Sequence, residues 1–122
     1  MIVLDTHIFL WVTEQLTERM PENMLSAIEN EPVLGLSAIS LWEISMLQNK
    51  ERIVLSMPLL LWLREALAAP KIKLLPITPE VAVRSGSLPM HGDPADRLIA
   101  ATAIEHDCHL ATLDGLLRQM PL

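Results

Sequence analysis

The sequence predicts an α/β protein with a central parallel sheet and helices on both faces. Three features of its 122 residues predict this. Short apolar runs suited to buried strands alternate with helix-length segments along the whole chain. No hairpin signal of the Asn-Gly type joins one run to the next, so the connections read as right-handed crossovers. Acidic residues close the apolar runs or sit a short way into the helices, and ligands of parallel α/β sheets bind at the carboxyl ends of the strands.

Each element follows from local signals. Ile2-Val3-Leu4 is fully apolar, as a central parallel strand requires. Thr6 can cap the helix that carries Ile8, Phe9, Leu10 and Trp11. Pro21 opens a second helix, with Met24, Leu25 and Ile28 spaced for one buried face. Val33 to Leu36 reads as the second strand. Ser37 or Ser40 starts a helix through about Asn49. Ser56 and Pro58 precede a helix from Leu59 to Ala69. Lys71 to Ile77 contains the third strand. Thr78 and Pro79 start a short helix that ends near Gly86, and Asp93 and Pro94 start a long one through about His106. His109 to Leu113 is the fourth strand, with a last short helix after it. The reading is one domain over 1–122 with four strands, a fifth at the C-terminus being left open.

Composition narrows the class. Residues of the set A, V, I, L, M, F, W, Y and C make up 51% of the chain. With a mean hydropathy of +0.35, that hints at a buried partner surface. The segment Leu59-Leu60-Leu61-Trp62-Leu63 agrees, being apolar around the whole turn where a surface helix would show a polar face. The single cysteine, Cys108, excludes an internal disulfide and favours a reducing compartment. No basic segment of a signal peptide stands at the N-terminus, and Ile53 to Leu63 is too short to span a membrane, so a cytoplasmic protein is expected. The net charge is −6, from nine Lys and Arg against fifteen Asp and Glu. That weakens a nucleic-acid reading, since such proteins usually leave a basic footprint. Two bound divalent cations would add four charges and bring −6 to roughly −2.

Asp5, Glu43, Asp96 and Asp114 carry the chemistry. If the strands are parallel neighbours, the four converge at one sheet edge. Carboxylates that close cannot all ionise without a counter-charge, and a hard divalent cation with oxygen ligands is the natural one. Each acid also has a plain structural reading. Asp5 could be a turn former or cap. Ser40-Leu41-Trp42-Glu43 matches a capping box, whereas a helix starting at Ser37 would leave Glu43 free. Asp93 fits an N-cap, Pro94 the first helical position, and Asp96 then complements the helix dipole. Asp114 could cap a final helix, with Thr112 sharing that task or holding Asp114 in place. What the four readings leave unexplained is their shared edge. His7 could approach the site or lie on the helix surface. His106 and His109 read as a helix end and a strand start. Trp11, Trp42 and Trp62 read as core or interface.

In this order, Leu4-Asp5-Thr6-His7 with Trp11, Ser37 to Ile44, His91 to Ala100, and Leu110 to Asp114 resemble the PIN-domain ribonucleases, in particular VapC-type toxins of toxin–antitoxin pairs. The resemblance covers nearly the whole chain. It implies a PIN-like α/β/α sandwich and a metal-dependent endoribonuclease, the toxin of an antitoxin pair. Asp5, Glu43, Asp96 and Asp114 would hold Mg²⁺ or Mn²⁺, and cleavage would leave a 5′-phosphate and a 3′-hydroxyl. Thr6 and Thr112 would orient ligands or a metal-bound water. Arg97 and His91 are candidates for phosphate contact or for orienting Asp96, and Arg97 could also pair with Asp93. RNA, a cognate antitoxin and a second copy in a homodimer are the implied partners. Two departures stand out. Close relatives often carry a lysine where this chain has Leu47, leaving Lys50 or Arg52 as substitutes. The family commonly adds a fifth strand near the C-terminus, where only Met120-Pro121-Leu122 remain, so a short or absent edge strand is expected. The alternative is a non-catalytic interaction module of the same fold.

Overall fold

The computed structural model describes residues 1–89 and 92–117. Five strands form one sheet in the order β3-β2-β1-β4-β5. They are β1 (Ile2–Leu4), β2 (Leu34–Ser37), β3 (Ile72–Leu75), β4 (His109–Thr112) and β5 (Gly115–Leu117). The helices are α1 (Thr6–Thr13), α2 (Glu22–Asn30), α3 (Ile39–Asn49), α4 (Leu59–Leu67), α5 (Pro79–Ser87) and α6 (Pro94–Glu105), with a 3₁₀ turn at Thr17–Arg19. β1 is central and pairs in parallel with β2 and β4, and β2 pairs in parallel with β3. The α/β class, the four parallel strands and the helices between them stand as expected, with ends shifted by a residue or two.

Side chains alternate across a strand, and this separates two cores. Ile2 and Leu4 of β1 pack with Phe9 of α1, Met24 and Ile28 of α2 and Trp62 of α4. Val3 faces the other way, with Ile99 and Ala103 of α6. α5 stacks on α6 around Val81, Leu88 and Ala101. Phe9 and Trp62 meet edge to face, with ring centroids 5.9 Å apart. Gly35 of β2 allows close packing, since a Cβ there would stand 2.7 Å from Leu75 Cδ1. Among the described residues, no helix is long and apolar enough to cross a membrane.

The C-terminal expectation needs correcting. In place of a helix after β4, the chain turns through Leu113 and Asp114 and returns as β5, antiparallel to β4, with Thr112 opposite Gly115. Gly115 closes the turn with φ +118°, a backbone state that costs glycine little. Asp114-Gly115 is itself a hairpin dipeptide, and it sits at the turn between β4 and β5. The fifth strand therefore directly follows the turn. The segment Met120-Pro121-Leu122 lies outside the described residues.

The helix α4 is two-faced. Trp62 and Ala66 are buried, while Leu60 and Leu61 are 62% and 50% exposed. Leu36, fully buried in β2, should behave very differently from Leu60. Leu36→Ala is expected to lower unfolding free energy by about 2–5 kcal/mol. Leu60→Ala should stay within about 0.5 kcal/mol. Urea denaturation of both variants checks the contrast.

Candidate metal centre

The site forms where β1, α3, α6 and the β4–β5 turn meet. Asp5 follows β1 in extended conformation and is the N-cap of α1, its side chain accepting from the Ile8 N–H at 2.9 Å. Thr6, expected to be that cap, is the first helical residue instead. Its side chain is 2% exposed and points inward, where it donates to the Glu43 carboxylate and meets Ser40 Oγ at 2.9 Å. A threonine hydroxyl has one proton. With that proton on Glu43, the Ser40 hydroxyl must donate to Thr6. Directed hydrogen bonds thus run from the buried Ser40 to Thr6 and on to Glu43, the last two lining the cavity.

This arrangement decides the reading of Glu43. α3 starts at Ile39 and has no side-chain cap at Ala38. Glu43 therefore lies past the first turn, and Ser40 is a buried partner of Thr6, so the capping-box reading falls. At α6 the plain reading does hold, because Asp93 Oδ1 accepts from the Asp96 N–H at 2.8 Å. Yet Asp93 also joins the cluster. Glu43, Asp93 and Asp96 each offer a carboxylate oxygen, all within 4.8 Å of one another.

Asp5 and Asp114 line the same cavity, of about 590 Å³, as those three acids. β1 and β4 pair Leu4 with Ala111, and the Asp5 N–H donates to the Ala111 carbonyl at 2.9 Å. That register brings the end of β1 beside the turn bearing Asp114. The Leu113 backbone N–H also favours the charged form of the Asp5 carboxyl, less than the Ile8 N–H does. Thr112 Oγ1 accepts from the Asp114 N–H at 3.0 Å and donates to the Gly115 carbonyl at 3.4 Å. Thr112 therefore shapes the turn that presents Asp114.

The charges in this cavity oppose one another. Burial pushes the Asp5 carboxyl above its ordinary range, against the Ile8 N–H, and the Asp96 charge adds to the rise. Burial also raises Glu43, opposed by the Thr6 hydroxyl and reinforced by Asp93 and Asp96. Asp96 is exposed at its surface, yet desolvation and then the Asp93 charge raise it too. His7 acts in the opposite direction on all three acids. The sequence reading left His7 undecided between site and helix surface. Its place two residues after Asp5, in the first turn of α1, was the available signal.

Arg97 has a different place from the expected one. Its guanidinium donates to the carbonyls of Ser85 at 3.0 Å, Gly86 at 3.3 Å and Leu88 at 2.9 Å. It thereby closes the C-terminal end of α5, where carbonyls lack helical partners. His91 lies outside the described residues.

An acidic cavity at the carboxyl edge of a mostly parallel sheet, fed by separate elements, defines a class of α/β proteins with an oxygen-donor centre. Within that class, the chain belongs to the PIN-domain family, whose pattern matches residues 2–121. It is 41% identical over 119 residues to Ribonuclease VapC22 of Mycobacterium tuberculosis (strain ATCC 25618 / H37Rv), covering 96% of this chain and 89% of the relative. In fold it is similar to a toxin–antitoxin complex from Klebsiella pneumoniae, with TM-score 0.58 and 22% identity over 92% of this chain and 85% of that one. It is also similar to VapBC2 from Rickettsia felis bound to a DNA fragment from their promoter, with TM-score 0.59 and 20% identity over 92% and 87% of the two chains. The resemblance read from the motifs therefore holds at the level of family and fold.

Raised carboxyl pKa values have a testable sign. Folded protein keeps protons that the unfolded chain releases, from the ordinary carboxylate range up to the raised values. Stability should therefore fall as pH rises through that window. Asn caps a helix as well as Asp, so Asp5→Asn removes a desolvated charge and keeps a cap. In metal-free buffer at about pH 7, the variant should have a higher urea midpoint than wild type, and the gap should close towards about pH 4. Equal midpoints at both pH values would count against charge repulsion at the site.

Proposed function

We propose that this protein is a metal-dependent endoribonuclease acting in the cytoplasm as the toxin of a toxin–antitoxin pair. The observation that carries the reading is the 41% identity to a ribonuclease over nearly the whole chain, in a fold with an acidic cavity at the carboxyl edge of its sheet. The donor set fits a hard cation. Glu43, Asp93 and Asp96 offer only oxygens, which suit Mg²⁺ or Mn²⁺ better than a soft metal. These three oxygens, within 4.8 Å of one another, are close enough to share one cation. Asp5 and Asp114, which line the same cavity, complete the proposed ligand set.

When bound, the cation would activate water and neutralise charge on a phosphodiester. The protein's own residues have separate tasks. Asp5, Glu43, Asp96 and Asp114 would hold the ion, and Asp93, which caps α6, would add an oxygen. Thr6 fixes the Glu43 rotamer, and Thr112 fixes the turn of Asp114. No side-chain nucleophile is needed. Cys108 is buried, its thiol donates to the His106 carbonyl at 3.1 Å, and burial pushes its pKa up. Such a thiol stays protonated and unreactive.

Asp96→Asn and Glu43→Gln test the site. Each should weaken Mn²⁺ binding in titration calorimetry, and each should cut RNA cleavage by roughly 100-fold or more. Mn²⁺ at about a hundred times its Kd should stabilise wild type by about 2.7 kcal/mol, and the variants far less. Wild-type cleavage by both variants would reject these residues as ligands, whereas a wild type that neither binds Mn²⁺ nor cleaves RNA would favour the non-catalytic module.

Assembly is part of the proposal. A homodimer and a bound antitoxin would cover apolar surface that the single chain leaves open, including Leu60 and Leu61 of α4. Lysine at position 60 would place an unpaired charge in such a contact, where desolvation is costly. Leu60→Lys should shift sedimentation towards monomer, or weaken capture of the protein encoded by the neighbouring gene, by roughly tenfold in Kd. Unchanged assembly on both counts would place the interfaces elsewhere on the molecule.

A further inference from the structure

Among the described residues, the cavity is rich in hydrogen-bond acceptors and short of side-chain donors. A phosphodiester is another acceptor, and any of its oxygens that a cation does not hold is best met by N–H or O–H groups with free protons. Most side-chain donors lining this cavity are committed. The Thr6 hydroxyl donates to Glu43. The Thr112 hydroxyl donates to the Gly115 carbonyl, and the Cys108 thiol to the His106 carbonyl. No lysine or arginine lines the cavity among the described residues. Arg97 binds three carbonyls at the end of α5.

His7 remains. It lies in the first turn of α1, is half-buried and lines the cavity. Its ring stands within electrostatic reach of Asp5, Glu43 and Asp96. No hydrogen bond to the ring occurs among the described residues.

We propose that His7 is a catalytic residue whose imidazole N–H donates a hydrogen bond to a non-bridging oxygen of the RNA phosphate held at the acids. Neutral imidazole and imidazolium each carry an N–H, so the contact does not depend on the ring's protonation state. Leu47 packs against the first core and does not line the cavity, so position 47 supplies no donor there. The inference rests on the nuclease reading and deepens it, because it assigns the donor that faces substrate from the protein side.

Three variants test it. His7→Ala removes the ring, His7→Phe keeps an aromatic ring without a donor, and His7→Gln restores an N–H. The substrate is an RNA oligonucleotide spanning a cleavage site mapped on purified bacterial RNA. Relative to wild type, kcat/KM should fall roughly 10- to 100-fold in His7→Ala and His7→Phe, with partial recovery in His7→Gln. Binding of the same oligonucleotide in Ca²⁺, followed by fluorescence anisotropy, should weaken in the same order. Mn²⁺ affinity by calorimetry should stay within about twofold of wild type in all three. Wild-type kcat/KM in His7→Ala or His7→Phe would overturn the proposal. So would Mn²⁺ affinity that falls in step with activity, since the ring would then be a ligand. A wild type that neither binds Mn²⁺ nor cleaves RNA overturns the nuclease reading, and His7 with it. Should His7→Ala not fold, the comparison of His7→Phe with His7→Gln decides.

Discussion

Like charges held together in a partly desolvated cavity are the constraint around which this molecule is arranged. Left to themselves, Asp5, Glu43, Asp93 and Asp96 would separate into solvent or take up protons. The fold denies them the first option. Asp5 is held by the ladder between β1 and β4 and by the Ile8 N–H. Glu43 is held by Thr6, which Ser40 orients in turn. Asp93 is tied to the first turn of α6. The bonds that hold the acids come from backbone groups and small buried hydroxyls. A carboxylate held this way keeps a face open to an ion, whereas a salt bridge from lysine or arginine would occupy it.

The two cores serve this arrangement. Packing of α1, α2 and α4 against Ile2 and Leu4 fixes one face of β1, and packing of α6 against Val3 fixes the other. Asp5, one residue past Leu4, then has little freedom. α3 carries Glu43, and its Ile44 reaches the first core while its Ile39 reaches the second. It thus spans both faces at the edge where the acids gather. The geometry of the acidic cluster therefore depends on hydrophobic burial at some distance from any charge.

Much of this was legible in the sequence, and the illegible parts share a cause. The strands β1, β2, β3 and β4 and all six helices showed in apolar runs and in Pro, Ser, Thr and Asp at helix starts. Asp5 and Thr6 are both good caps, and local pattern could not rank them. Burial of the Thr6 methyl and the demand of Glu43 for a donor placed Thr6 inside the helix. Ser40 looked like a cap for the same reason. Asp93 was correctly read as the cap of α6, but its approach to Glu43 depends on how α3 packs on α6, which no local pattern records. β5 was misread because Leu116 and Leu117 carry no period of their own, and the Asp114-Gly115 signal was overlooked. Local chemistry was readable, and tertiary competition for the same side chains was not.

The family assignment and the electrostatics now bear on each other. A chain of net charge −6 is a poor polyanion binder by its overall field. If it acts on RNA, attraction must be local. The acids supply it only through a cation, and the described protein supplies little else in the cavity beyond His7. An enzyme built this way would hold RNA weakly in the absence of metal and select it by what fits around one phosphate. It would also be open to inhibition by any partner that places a cationic side chain among the acids. The same carboxylates would then explain dependence on the metal, modest affinity without it, and susceptibility to a protein inhibitor. These three properties would follow from a single desolvated cluster.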